Sequence, residues 1–407
     1  MRGARRVLTV SLALLGAAAC NPHGPALPLP GAEPELRVGI ADGLKGVRLG
    51  GDAQLLVTDD GNGTAVASIP AGESWSIVPD SGALVLVHPD GGRTGHHQGL
   101  FAVSVTADRF VTADGRRYRG RINVIRNGGG LLLVNRVPLE SYVAAVIGAE
   151  MGSRRADELQ ALDAQAIVSR TFALKNRGRW EAQGFDVTDD TRDQVYGGVA
   201  AETPQAWASV RRTAGRVVMY KGEVIDAFFH STCGFQTADA SEAFHNGTTR
   251  PYLRPVSDAS GGGHYYCDIS PRFRWREEWD GATLRAILAR SLPNLPRIVN
   301  VEVSRTTPSG RVGELRIVFP HGDARIPEAD VRSVLRPAAD RLLSSAAFQL
   351  FVTTDSGQVT RLVAAGAGSG HGVGFCQWGA IGRARVGQGY EKIITTYFPG
   401  TEIEKLY

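Results

Sequence analysis

Val137-Pro-Leu-Glu-Ser-Tyr-Val-Ala-Ala-Val-Ile-Gly-Ala-Glu-Met151 marks the change from a strand pattern to a helical one. Its apolar positions Leu139, Tyr142, Val143, Val146 and Ile147 recur at i, i+3, i+4, i+7 and i+8, which predicts a helix over 138–150 with one buried face. Upstream, the short runs LRVGIA, QLLVT, ALVLVH, FAVSV, RINVI and LLLVN alternate with turn signals such as Asp60-Gly61, Pro89-Asp90-Gly91 and Asp114-Gly115. Downstream, helical periodicity returns over 157–176, 283–292 and 329–343. Between these lie VVMYKGEVIDAFFH, a hairpin about Lys221-Gly222, and VNVEVSRTTPSGRVGELRIVF, a hairpin about Ser309-Gly310. The fold class is therefore α+β with strand predominating. A β-rich part, 36–135, precedes a mixed helix and strand region, 136–407, that holds the groove.

With 407 residues, 43% of them hydrophobic and 21% charged, the chain can bury a sizeable core. Its first segment is an address. Arg2, Arg5 and Arg6 precede the apolar run Val7 to Ala19, which is too short to span a bilayer, and small residues lead to Cys20. Residues 1–19 thus predict an export signal of the lipoprotein type, with Cys20 as lipid acceptor, Ala17 standing where leucine is usual. Ordinary cleavage nearby is the alternative. Residues 20–35 are rich in proline, glycine and alanine, the composition of an extended tether. Together these place the protein outside the cytoplasm, anchored to a membrane and facing periplasm or cell wall. Removal of the leader takes the formal charge from +4 to +1, far from the basic stripe that nucleic acid requires.

The stripe that should face the core ends, at i+11, on Glu150. Partial desolvation disfavours a carboxylate and raises its pKa, the condition for a general acid near neutral pH. The plainer alternative is that Glu150 turns to water or pairs with Arg154 or Arg170.

Beyond these patterns the chain resembles the SpoIID/LytB family, named for stage II sporulation protein D and the amidase enhancer of cell-wall autolysis. The family block V-P-L-E-x-Y-L-x-x-V-x-x-x-E-M is matched from Val137 to Met151, and A-Q-A-V-x-A-R-T-Y-A is matched by Ala164-Gln165-Ala166-Ile167 and Arg170-Thr171-Phe172-Ala173. Gln194-Val195-Tyr196, Phe228-Phe229-His230-Ser231-Thr232-Cys233-Gly234, Pro251-Tyr252-Leu253 with Asp258, Gly370-His371-Gly372-Val373-Gly374-Phe375-Cys376-Gln377-Trp378-Gly379-Ala380 and the ending from Tyr390 to Thr401 match further blocks in order. Gly148 and Gly152 replace prolines of the pattern, Phe235 a glycine and Phe375-Cys376 a Met-Ser pair. The resemblance implies a lytic transglycosylase acting on peptide-stripped glycan strands of peptidoglycan, with Glu150 as single acid/base. The alternative is non-enzymatic: a peptidoglycan-binding enhancer of an N-acetylmuramoyl-L-alanine amidase.

Other polar residues are then assigned to the groove. In the 370–374 glycine run no lysine of a phosphate loop follows, so close backbone approach to a sugar is expected. His371 and Gln377 are read as donors and Trp378 as a stacking face, against the alternative of a packed turn. Gln165, Arg170, Thr171, Gln194, Tyr196, His230, Ser231 and Thr232 are placed in the same groove; the alternative is structural, with Arg170 pairing with Asp163 or Glu150. His230-Ser-Thr-Cys233 and His264-Tyr-Tyr-Cys267 together offer a tetrahedral Cys2His2 zinc set. The resemblance adds that some family members bind zinc near the same strand end. In an exported protein a Cys233–Cys267 disulfide is the simpler account, and no cofactor is otherwise expected. A thiol nucleophile, Cys376 with His371 or Cys233 with His230, is the weakest reading, because nothing in the spacing makes these side chains converge.

Overall fold

Alternation of apolar and polar residues puts successive side chains on opposite faces of a strand. In the computed structural model, which describes residues 32–407, the runs before residue 139 form two sheets that share one core. The leader, Cys20 and most of the tether lie outside the described residues. One sheet has seven strands in the order Val187–Thr188, Glu35–Leu44, Gly130–Pro138, Arg121–Asn127, Gly99–Ser104, Leu55–Asp59 and Ala65–Ile69. Its neighbours are antiparallel except Val187–Thr188, which runs parallel to Glu35–Leu44. The other has five, ordered Ala83–Val87, Ser74–Asp80, Val47–Gly51, Val111–Ala113 and Arg116–Tyr118. Leu36, Val38, Leu55, Val57, Leu100, Ile122 and Val124 are buried on their inward faces. The fold is α+β and rich in strand.

The last strand of the first sheet runs straight into helix α1, Leu139–Met151, and a 3-10 turn then leads to α2, Leu159–Lys175. The stripe read on α1 is only part of its buried surface, since Ala144 and Ala145 are as buried as Val143 and Val146. Two departures from the family pattern have local causes. A Cβ on Gly148 would sit 1.9 Å from the Ala201 carbonyl oxygen, and Gly152 ends the helix at φ +63°, where other residues are strained.

The hairpin at Lys221-Gly222 forms with both residues at positive φ, joining Arg216–Tyr220 to Glu223–Val224. The run does not continue as that hairpin, however: Phe229–His230 pairs in parallel with Phe375–Cys376. Between them, residues 272–367 pack around a second core of Trp279, Leu315, Ile317 and Leu362, so the region 136–407 holds two cores. The hairpin about Ser309-Gly310 lies in this insertion and joins Asn300–Thr306 to Val312–Val318. The helix expected over 329–343 is only Glu328–Val334. Pro337 lacks the amide that would continue it, and the Arg336 side chain instead binds the Ser333 and Ala339 carbonyls. No helix among the described residues is long and apolar enough to cross a membrane.

The helices are tied by one buried pair. Arg170, fully buried on α2, donates to both oxygens of Glu140 on α1 at 2.8 and 2.6 Å and to the Arg216 carbonyl at 3.0 Å. Glu140 also accepts from the Gly215 amide and the Tyr407 hydroxyl. Burial alone would raise the Glu140 pKa, but the Arg170 hydrogen bonds and charge outweigh it and hold the carboxyl below its ordinary 4.5. A depressed carboxyl stabilises the fold above its ordinary pKa and loses that contribution as pH falls through the depressed one. Arg170→Ala should therefore lower the urea unfolding free energy at neutral pH by about 3–5 kcal/mol and flatten its decline on acidification. A loss under about 1 kcal/mol would show that the pair does not lock the helices.

Candidate functional site

Glu150 is the penultimate residue of α1, half-buried at the wall of a groove of about 770 Å³, within the roughly 300–1,000 Å³ usual for small-ligand clefts. Phe172 from α2, Phe228 and Phe229 at the start of the strand Phe229–His230, and Phe244 at the end of the short helix Ala240–Ala243 give the groove an aromatic lining. Phe228 and Phe244 rings lie 5.0 Å apart, and Phe172 meets Phe228 edge-on at 6.3 Å. Of the groove arginines, Arg179, Arg192 and Arg250 pair with Asp193, Asp190 and Asp226, while Arg332 pairs with no carboxylate among the described residues.

Two donors reach the Glu150 carboxyl, and both are long: the Val195 amide at 3.4 Å and the Gln377 side-chain amide at 3.3 Å. No ion pair involves Glu150 among the described residues, so neither Arg154 nor Arg170 neutralises it. Burial raises its pKa above the ordinary 4.5, against the smaller lowering effects of Gln377 and Val195. Its place in the last turn of α1, at the negative end of the helix dipole, acts in the same direction as burial. Two other carboxylates line the groove, but both are engaged. Asp193 accepts from Trp180, Thr188 and Arg179, and Asp226 from Tyr252 with Arg250 at 3.5 Å. Among the described residues Glu150 is thus the one groove carboxyl without a cation.

Most of the other residues assigned to the groove lie in the core. Gln165 is buried and bonds Ser169, Arg170 holds Glu140, and the Thr171 hydroxyl bridges the Ile167 carbonyl and the Val218 amide. The helix that carries them is packed on nearly every side, which the family blocks alone do not reveal. Gln194 and Tyr196 point inward as alternate residues of an extended segment. Tyr142 donates to Gln194, Tyr196 donates to Asn135, and the Tyr142 and Tyr196 rings stack at 5.1 Å. These contacts fix Val195 between them, with its amide on Glu150. Thr232 is buried against Ser270, and the Ser231 hydroxyl bonds Thr232, so neither lines the groove.

The two histidines grip one residue. His230 is buried, its Nδ1 donating to the Val373 carbonyl at 3.1 Å while its Nε2 has no partner among the described residues. His371 does line the groove, but its Nε2 donates to the Phe229 carbonyl and its Nδ1 accepts from the Val373 amide. Both ring nitrogens are therefore committed, and neither is left for a sugar. Burial pushes His230 down to about 3 and His371 well below its ordinary value, so both are neutral. Gln377 touches Glu150, whereas the Trp378 ring packs partly on the core beneath the Arg154 guanidinium, 5.9 Å away. The groove phenylalanines and arginines escaped sequence reading, although Phe228-Phe229 before His230 is a visible aromatic pair.

The Cys2His2 set does not assemble. His264 is exposed and faces Asp268, and His230 is turned to Val373. Cys233 and Cys267 do meet, with sulfurs 3.5 Å apart as thiols.

A family model described as stage II sporulation protein matches residues 127–220, the span that carries Glu150, Arg170 and Gln194 to Tyr196. A second, described as a domain of unknown function, matches 263–374, nearly the inserted unit. An uncharacterized protein of Brachyspira hyodysenteriae is 32% identical over 302 residues, covering 73% of this chain and 75% of that one. Stage II sporulation protein D of Bacillus subtilis is 28% identical, covering 67% of this chain and 76% of that protein. The chain belongs to the SpoIID/LytB family. The amidase enhancer of Bacillus subtilis, 26% identical, matches 60% of this chain and only 38% of its own length. The SpoIID match thus contains the Glu150 segment, whereas the inserted unit is matched separately.

A carboxyl with a raised pKa costs the fold nothing while protonated and destabilises it as pH rises through the raised pKa. Glu150→Gln should therefore match the native protein in stability near pH 4 and exceed it increasingly towards about pH 7, read by thermal melts across that range. A variant less stable than the native protein at neutral pH would show that the carboxylate is compensated after all.

Proposed function

We propose that this SpoIID/LytB member remodels peptidoglycan outside the cytoplasm as a lytic transglycosylase, with Glu150 as its single acid/base. The observation that carries the reading is a groove carboxyl of raised pKa with no paired cation and two long hydrogen bonds. Such a group is protonated over a wider pH range than an ordinary glutamate and can donate to a leaving oxygen. In the reaction Glu150 gives its proton to the glycosidic oxygen as the bond to the muramic C1 breaks. The same sugar's 6-hydroxyl then attacks C1, and its proton returns to the Glu150 carboxylate. The products are a 1,6-anhydro end and a free 4-hydroxyl; no water is consumed and no second carboxylate is needed. The commitment of Asp193 and Asp226 to other partners agrees with that economy.

The phenylalanine lining suits the apolar faces of sugar rings, and Arg332, without a carboxylate partner among the described residues, suits an anion. A glycan strand stripped of stem peptides carries a lactyl carboxylate on each muramic residue, so peptide-free strands are the substrate that fits this charge. Lipid on Cys20 would hold the enzyme at a membrane surface, with the tether giving reach to the wall. A second reading has its own support in the likeness to an amidase enhancer: the same groove binds glycan without cutting it and stimulates a partner cell-wall amidase.

Purified mature protein and Glu150→Gln, each incubated alone with peptide-free glycan strands, separate these readings by mass spectrometry. The native protein should yield 1,6-anhydromuramic ends, and the variant should bind glycan while its rate falls by about 10²–10⁴-fold. Binding by both proteins with no anhydro product from either would transfer the assignment to the enhancer.

A further inference from the structure

Away from the groove lining, behind the strand pair 229–230 and 375–376, four donor side chains meet in the core. Cys233 follows the first strand and Cys376 ends the second, Cys267 lies on the 3-10 helix Tyr266–Ile269, and Asp258 lies on the segment before it. One ligand atom from each lies within 4.8 Å of all the others, and all four residues are buried. We infer that Cys233, Cys267, Cys376 and Asp258 form a four-coordinate zinc site that staples the two ends of the inserted unit behind the groove.

The spacing suits a metal. Zinc–sulfur bonds of about 2.3 Å in a tetrahedron place the sulfurs roughly 3.8 Å apart, and Cys233 and Cys267 stand at 3.5 Å. A donor set of three thiolates and one carboxylate, closed to solvent, selects zinc among the common divalent ions and gives it a structural role.

The surroundings are built for negative charge on those donors. The Cys233 and Gly379 amides donate to the Cys376 sulfur at 3.2 and 3.3 Å, the second from the first turn of the helix Gln377–Arg385. Asp258 is oriented by the Cys267 amide, the Tyr397 hydroxyl and Arg383, at 2.9, 2.7 and 3.2 Å, as outer partners orient metal ligands. Arg311 supplies an independent sign. It is a buried guanidinium that pairs with no carboxylate among the described residues and donates only to the carbonyls of Ser309, Cys233 and Gln236. A buried cation needs a counter-charge, and beside Arg311 the carboxyls of Glu242 and Glu328 share that place with the sulfurs of Cys233 and Cys376. Three thiolates and a carboxylate around a divalent ion leave a net double negative charge, which Arg311 and Arg383 balance.

A Cys233–Cys267 disulfide is the competing state. It uses two of the donors, leaving Cys376 only as the N-cap of the helix Gln377–Arg385 and Asp258 outside the linkage. Zinc uses all four, and it fixes Cys376 next to Gln377, whose amide reaches Glu150.

The test takes the full mature chain, purified without reductant and dialysed against metal-free buffer. Elemental analysis should find one zinc per chain, and denaturation with a chelator should free the thiols of Cys233, Cys267 and Cys376. Cys376→Ser should bind zinc at least about 100-fold more weakly. Cobalt substituted into the native protein reads the donors without any variant, through a sulfur-to-cobalt charge-transfer band of three-thiolate intensity. Metal-free protein with an intact mass two hydrogens lighter would overturn the site in favour of the disulfide. Zinc retained at native affinity in Cys376→Ser, or a two-thiolate cobalt spectrum, would equally overturn it.

Discussion

The bidentate pair between Arg170 and Glu140 is the constraint on which the helical layer rests. It joins α1 to α2, and through the Arg216 carbonyl, the Gly215 amide and the Tyr407 hydroxyl it draws in the strand after them and the end of the chain. A buried guanidinium is expensive to desolvate and tolerable only when its donors are met with good geometry. Here an oriented carboxylate and a carbonyl meet them, and the partners come from segments up to 267 residues apart. α1 is therefore held at its first turn, and Glu150, three turns on, is delivered to the groove by a rod that cannot rotate.

A second constraint works at the far wall. The parallel ladder of Phe229 with Phe375 and His230 with Cys376 is only two residues long, yet it closes across the insertion 272–367. A ladder so short has little stability of its own. The two histidines that grip Val373 from both sides reinforce it, as does the Trp378 amide that donates to the Ser231 carbonyl. These contacts explain residues that resemble catalytic groups by type: the histidines build the wall that places Gln377 rather than acting on a substrate.

How much of this the sequence discloses depends on the range of the interaction concerned. The six apolar runs of 36–135, α1, α2 and both hairpin turns follow from local periodicity and from positive-φ turn residues and form where expected, whereas the strands Val47–Gly51, Ala65–Ile69, Ser74–Asp80, Val111–Ala113 and Arg116–Tyr118 are not among those runs. Glu150 is marked by its place in a family block. The periodicity argument places Glu150 at the end of a buried stripe for an incomplete reason, since α1 is buried almost all round and Glu150 is covered by the Val195 and Gln377 segments. Illegible locally were the partners that meet across long separations. Arg170 belongs to Glu140 rather than Asp163, Cys376 joins Cys233 from 143 positions away, and the phenylalanine lining draws on three separate segments. Family blocks mark residues that matter without saying whether they touch a ligand or one another, and for Gln165, Thr171, Gln194 and Tyr196 the contacts are internal.

The two glutamates of α1 stand in energetic contrast. Glu140 and Glu150 stand ten residues apart on one helix, both largely removed from water. The first is surrounded by a cation and strong donors and held ionised; the second is given only two long hydrogen bonds and no charge, and is held towards its neutral form. A fold selecting for stability alone would treat them alike, pairing Glu150 with nearby Arg154, whose guanidinium instead lies over Trp378 and beside Glu158. An uncompensated carboxyl kept at a groove wall, on a helix whose other end is so firmly fixed, is the arrangement that the acid/base role proposed for Glu150 requires.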